Sequence, residues 1–295
     1  MGRFLDMTYS EMAALSGREL LQSFSASEGR ILFSEVVAHK APLVDGVSNP
    51  ELAAAMGADC ILLNMIDPGK PEVAGLPEME ESVFFYELAS FLGRPVGINL
   101  EPSEWVKPGY RATPDQARRA VDRGASFILL TGNPASRVTL EDITRALEEI
   151  RKVVGDDPLL MVGKMHHAGV PFSGEDPFLP EECVAAWKDA GADVILFPAP
   201  GTVPGITLEE GTLLARTAHS RGLLAMSSLG TSQEGASAES VAQIALWAKM
   251  CGVDIHHIGD AGYSGIGVPE NITAYSVAIR GRRHTWRRMA ASIRR

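Results

Sequence analysis

The chain has 295 residues, 45% of them hydrophobic, and a formal net charge of −10 at pH 7. That length suits one α/β barrel domain, and the acidic balance disfavours nucleic acid as a partner, because phosphate binding needs a positive surface. No apolar run is long enough to span a membrane and no charged-apolar-small leader is present, so a soluble cytoplasmic protein without a membrane partner is expected.

Residues 7–27 read as a helical preface in which Thr-Tyr-Ser-Glu caps an apolar pattern through Leu15, Leu20 and Leu21. Two interleaved series of strand-length apolar runs follow. One opens at Arg30, Arg94, Pro158 and Gly222. The other repeats a phrase, Gly-Ala-Asp-Cys-Ile-Leu-Leu from Gly57, Gly-Ala-Ser-Phe-Ile-Leu-Leu from Gly124, Gly-Ala-Asp-Val-Ile-Leu-Phe from Gly191 and Gly-Val-Asp-Ile-His-His-Ile from Gly252. Eight such runs, each followed by a helical pattern, predict a single (βα)8 TIM barrel over residues 30–280. An N-terminal helical extension (1–29) and an Arg-rich C-terminal helix (281–295) complete one domain.

In barrels of this kind catalytic groups stand at the carboxyl ends of the strands. Glu35 holds that place in strand 1, and Asn64 ends strand 2. The loop from Asp67 is long enough to act as a lid. Period-two alternation puts Asn99 and Glu101 on one face of strand 3, and Thr131 and Asn133 on one face at the end of strand 4. In strand 5 it pairs Lys164 with His166 and sets Met165 and His167 opposite. A lysine delivered by an apolar strand points to function, since lysine is rarely buried unpaired. Its structural alternative is an ion pair with Glu101 or Glu35. Strand 7 contributes Ser228, and strand 8 His256, His257 and Asp260.

The loops after strands 7 and 8 are rich in glycine and hydroxyls: Gly230, Thr231 and Ser232, then Gly262, Ser264 and Gly265. Such loops bind phosphate through backbone N–H groups in many barrels, which predicts a phosphorylated ligand. Glu234 and Asp260 in the same loops oppose it. Cys60, Cys183 and Cys251 are too far apart for a disulfide framework or a zinc spacing and are expected to be reduced and buried. The seven arginines from Arg280 to Arg295, with Trp286, Met289 and Ile293 among them at helical spacing, read as a barrel-closing or subunit-contacting helix with a solvated basic face. A homo-oligomer is expected.

The run from Pro42 to Ile61, with Gly-Leu-Pro at Gly75, resembles the start of the phosphoenolpyruvate mutase and isocitrate lyase superfamily. Further motifs are Gly-Ile-Asn-Leu-Glu-Pro, Gly-Lys-Met-His-His-Ala-Gly-Val, Pro-Ala-Pro-Gly-Thr-Val-Pro-Gly-Ile-Thr and Ile-His-His-Ile-Gly-Asp-Ala-Gly-Tyr. Through these, nearly the whole chain is similar to a bacterial TIM-barrel family labelled phosphoenolpyruvate phosphonomutase-like or haloacid-dehalogenase-like. Strands 3 and 5 also resemble the barrel family named after the photosystem biogenesis factor BtpA. The mutase superfamily implies magnesium held by an Asp-x-Asp pair after strand 3 and an acid after strand 4. Here those places hold Asn99 with Glu101, and Thr131-Gly-Asn133, which leaves a hard cation short of carboxylates. A dehalogenase would need Asp-x-Asp after its first strand, where Asp45 stands alone.

The residues lead first to a lyase or isomerase of a phosphorylated sugar or sugar acid. In it Lys164 is base or Schiff-base former, Glu101 or Glu35 its proton partner and His166 the carbonyl polariser. A hydrolase of a glycosidic or N-glycosidic bond in a phosphorylated ligand, using Glu35 and Glu101, is the alternative, and a non-catalytic phospho-ligand binding protein the third reading. No cofactor is called for. A divalent metal would have to use His166, His256 or His257 with a carboxylate, outside any compact ligand motif.

Overall fold

A computed structural model describes residues 2–132, 136–166 and 178–294. Eight parallel strands close into a barrel in chain order: β1 (Ile31–Val37), β2 (Cys60–Asn64), β3 (Val96–Leu100), β4 (Phe127–Leu130), β5 (Leu159–Gly163), β6 (Val194–Pro198), β7 (Leu224–Leu229) and β8 (Ile255–Ile258), with β8 pairing back onto β1. The preface contains helices α1 (Tyr9–Ala13) and α2 (Gly17–Ser25). The outer ring runs α3 (Asn49–Ala55), α4 (Phe84–Leu92), α5 (Pro114–Asp122), α6 (Leu140–Val154), α7 (Glu181–Asp189), α8 (Leu208–Ser220), α9 (Ala238–Met250) and α10 (Pro269–Ala290). The expected TIM barrel is therefore present.

The repeated phrase has a mechanical explanation. Its glycine takes a left-handed φ (107° at Gly57, 99° at Gly124 and Gly191, 87° at Gly252), which stops the helix before each even-numbered strand without a Cβ clash. The aspartate two residues on then clamps the start of the preceding strand. Asp59 N–H donates to Leu32 O while Asp59 Oδ2 accepts from Leu32 N. Asp193 does the same to Leu160, and Asp254 to Ala225. Ser126, in the aspartate's place, makes the backbone half of the clamp, Ser126 N to Val96 O.

Side chains alternate between two cores. Ile31, Phe33, Cys60, Leu62, Phe127, Leu129, Leu159, Met161, Val194, Leu196, Met226 and Ile255 fill the lumen. Their strand neighbours pack outward against the helices. The preface closes the lower end: Phe4, Phe24, Phe33 and Phe127 form a chain of rings at centroid spacings of 5.1, 5.7 and 4.9 Å.

α10 is interrupted at Gly281 (φ 74°, ψ 165°). Its basic face is not wholly solvated, because Arg280 and Arg288 are buried and both pair with Asp59, the latter at 2.6 Å. Arg280 before the break and His284 and Arg288 after it are buried, while Arg282, Arg283 and Arg287 are exposed. Arg94 completes the cluster, donating to Ala58 O and Arg288 O. Cys60 and Cys251 are buried thiols; Cys183 is only half-buried. Among the described residues no helix is long and apolar enough to cross a membrane.

Candidate active site at the barrel mouth

Above the apolar lumen the same inward-facing rows turn polar. Glu35 follows Phe33, Asn64 follows Leu62 and Thr131 follows Leu129. Asn99 stands inward beside Asn64, with Glu101 two residues on, and Ser228 and His257 follow Met226 and Ile255. Glu35, Asn64, Asn99, Glu101, Thr131, Ser228 and His257 are all at most 3% exposed. Two polar chains run across this layer. Asn99 Nδ2 donates to Asn64 Oδ1 (3.2 Å) and Asn64 Nδ2 to Asp260 Oδ2 (2.9 Å). Ser228 Oγ and His257 Nδ1 share a bond of 2.8 Å, and His257 Nε2 stands 3.4 Å from Glu35 Oε2, a contact short of a hydrogen bond.

Burial, with the charges of Glu234 and Glu101 nearby, raises the Glu35 carboxyl to about 8. Burial and Glu35 together raise Asp260 to about 7, against the bond from Asn64. Burial lowers His257 to about 4 despite Asp260 and Glu234. The His257–Glu35 contact therefore joins neutral groups at pH 7, and the mouth holds a proton on Glu35 and a partly occupied one on Asp260. Glu35 Oε1, Asn99 Oδ1, Thr131 Oγ1 and Glu234 Oε2 are buried without a hydrogen-bond partner among the described residues. Unpaired buried polar atoms are costly and collect where a ligand completes them.

Glu234 is the member that sequence reasoning passed over as a contributor. It follows β7 in a short 3-10 turn, is 2% exposed, and its Oε1 accepts from Ala261 N at 3.4 Å. Burial is the first cause that raises its pKa. Gly259 leaves room for it, since a Cβ there would lie 2.3 Å from Glu234 Oε1. Gly259→Ala should displace this carboxylate and cost about 1 to 3 kcal/mol of stability, read by denaturant unfolding. An unchanged midpoint would show that the carboxylate has other room.

Other candidates have different tasks. Strand 5 has the register opposite to that expected: Leu159, Met161 and Met165 join the lumen core, while Leu160 and Val162 pack outward. Lys164 continues the outward row. It is half-buried, burial lowers its pKa, and the one charge acting on it among the described residues is Glu141 of α6. His166 is half-buried beyond it. Asn133 and His167 lie outside the described residues.

His256 faces outward, adjacent to His257 on the opposite side of β8. Its Nε2 donates to Gly29 O (3.1 Å), so its Nδ1 accepts from Tyr275 OH (3.1 Å), and burial holds it neutral with a pKa of about 3. It fastens α10 to the barrel floor.

The loops expected to bind phosphate are occupied by their own contacts. The single hydroxyl proton of Thr231 is taken up by Thr202 O (2.8 Å) or Gly230 O (2.7 Å), with Thr231 and Ser232 both in the left-handed region. Ser264 and Gly265, also left-handed, form a two-residue hairpin tip closed by Tyr263 and Ile266. Gly265 O accepts from Val37 N, and Ser264 Oγ donates to Ala41 O. Gly262 packs on the backbone of Gly267 and Val268. These residues hold the loop after β8 onto the loop after β1. The loop from Asp67 is tied down as well, with Ala74 N donating to Ala38 O. Among the described residues no group of three or more His, Cys, Asp or Glu is arranged to hold a metal ion.

Residues 5–295 match the model of a family described as Domain of unknown function (DUF7916). None of the curated proteins compared with the chain matches it. Solved structures of similar fold include a putative lyase/mutase from Burkholderia cenocepacia J2315 (17% identity, TM-score 0.53, 85% of this chain and 83% of that one). Another is 2,3-dimethylmalate lyase, a PEP mutase/isocitrate lyase superfamily member (13%, TM-score 0.51, 84% and 82%). A third is the carboxyl transferase domain of Rhizobium etli pyruvate carboxylase with 3-bromopyruvate (11%, TM-score 0.55, 97% and 53%). At these identities the likeness is one of fold.

Proposed function

We infer the function of this chain, which belongs to the DUF7916 family, from the chemistry of its own barrel mouth. It is an enzyme of lyase or isomerase type that moves a proton beside an oxo or carboxyl group of a small hydroxylated substrate. Cleavage or migration of a C–C or C–O bond follows. The observation that carries this reading is Glu35, a fully buried carboxyl raised to about 8 whose Oε1 has no partner among the described residues. A carboxyl that titrates near the working pH serves as general acid and, after donation, as base. Asp260, raised to about 7 and held by Asn64, is its complement. Asn99 Oδ1, Thr131 Oγ1 and Glu234 Oε2 accept the substrate's hydroxyls. Lyases among the structures of like fold support the reaction class by analogy only.

Two elements of the sequence expectation have less support than this core. Lys164 continues the outward row of β5 and Glu141 is the charge acting on it, which lends a Schiff base less support than the acidic layer lends Glu35. Glu234 stands in the loops expected to cradle a phosphate, and a carboxylate there repels one. A hydrolase remains the second reading, because the Glu101 charge acts on Glu35 and the two carboxyls therefore share the mouth.

The test is a screen of small oxo acids, hydroxy acids and sugar phosphates with the full chain in D2O, followed by proton NMR. Deuterium uptake or cleavage that falls roughly 10²- to 10⁴-fold in Glu35→Gln supports the reading. Turnover undiminished in that variant refutes it, and hydrolysis products alone favour the hydrolase.

A further inference from the structure

We propose that a cavity of about 490 Å³ beside Glu101, outside the barrel axis, is an oxyanion-binding subsite. It takes the carboxylate or phosphate group of a small molecule whose other end reaches the mouth. Its volume is that of a small-metabolite pocket, and Glu101, Trp105, Arg111, Ser136, Arg137 and Arg145 are among its walls.

The walls are built rather than incidental. The loop after β3 returns to the strand: Glu101 N donates to Tyr110 O (2.9 Å) and Ala112 N to Glu101 O (2.8 Å). Arg111 fastens the loop internally, through Nε to Val106 O (3.2 Å) and Nη2 to Glu104 O (2.8 Å). Ser103 Oγ donates to Ser136 O and ties this loop to the one after β4.

Arg137 stands at the junction. Its backbone is left-handed (φ 57°), a conformation that costs a non-glycine residue energy and recurs at ligand clamps. Its guanidinium carbon lies 4.4 Å from the centre of the Trp105 ring. A guanidinium held over an indole ring keeps N–H groups for a second partner, and these match the oxygens of a carboxylate or phosphate. Among the described residues no carboxylate is within ion-pair distance of Arg111 or Arg137, whereas Arg145 is paired with Asp142 at 2.6 Å. Asp142 is further committed to Thr139 N and Oγ1. Glu104 and Glu149 also line the cavity, so the ligand it suits carries donor groups beside its anion.

The link to the mouth runs through Glu101, and that half of the statement rests on the catalytic reading above; the anion-binding half does not. The experiment titrates the full chain with inorganic phosphate and, separately, with malonate, and follows tryptophan fluorescence and heat. At least one anion is expected to bind, with affinity roughly tenfold lower or worse in Arg137→Gln. Affinity should be retained in Glu35→Gln and in the distant Arg216→Gln. Binding by phosphate alone or malonate alone names the oxyanion. Equal affinity in Arg137→Gln, or binding of neither anion, overturns the subsite. Glu35→Gln separates the two readings: lost turnover with intact anion affinity supports both, and intact turnover removes the catalytic reading alone.

Discussion

Glu35→Gln should be more stable than the parent above pH 8 and lose most of the parent's alkaline sensitivity. The Glu35 pKa rises from the ordinary 4.5 to about 8 on folding, through burial first and then the Glu234 and Glu101 charges. The folded chain therefore holds a proton that the unfolded chain has released. This stabilising contribution is fully present below about pH 4.5 and is lost as pH rises through about 8. Over that window the loss is of the order of 3 to 5 kcal/mol, allowing for relaxation around the ionised group. Gln keeps the shape and hydrogen-bonding capacity without the charge. Denaturant midpoints at pH 5 and pH 9 measure the effect: the parent should fall, and the variant should fall less, with Asp260 supplying the remaining slope. Equal slopes would place the ionisation elsewhere.

Asp59→Ala should destabilise the fold by about 3 to 5 kcal/mol, because removing one member of a buried ion cluster strands the others. Asp59 is fully buried and receives Arg280, Arg288 and Leu32 N, so the substitution leaves two guanidiniums without their counter-ion and opens the clamp on β1. Those arginines hold their carboxylate below its ordinary range despite burial. The cluster's stabilisation is therefore present above pH 3.8 and lost as pH falls through the lower folded value. Thermal unfolding or soluble yield reads the change. A shift within that of a surface substitution would show that α10 is held by its apolar contacts alone.

The barrel was legible in the sequence because one physical device recurs at three even-numbered strands: a left-handed glycine to stop the helix, then an aspartate to clamp the strand before it. The clamp itself was hidden in that repeat, since its acceptor is spent on a backbone N–H far away in sequence. The mouth was partly legible. Glu35, Asn64 and Asn99 follow small or apolar residues with period two, Glu101 follows Asn99 in the same row, and the structure brings them together.

Strand 5 was misread because a parallel barrel strand is apolar on both faces, so alternation alone does not tell inside from outside. His256 and His257 present the same ambiguity, resolved only by Tyr275 on one side and Ser228 on the other. Gly-rich composition after β7 and β8 signalled close backbone approach, but what approaches is the loop after β1 and the carboxylate of Glu234. In the tail, Arg280 and Arg288 are buried on either side of the Gly281 break, so helical spacing does not set them apart from the exposed arginines around them.

The acid role of Glu35 requires a proton held at the mouth at neutral pH. Carbon-13 NMR of labelled glutamate carboxyls, assigned by loss of one signal in Glu35→Gln, reads it directly across pH 4 to 10. The prediction is a Glu35 midpoint near 8, shifted down when Glu234 is replaced by Gln. A midpoint near the ordinary 4.5 would leave Glu35 charged at neutral pH and contradict its role as the acid of the site.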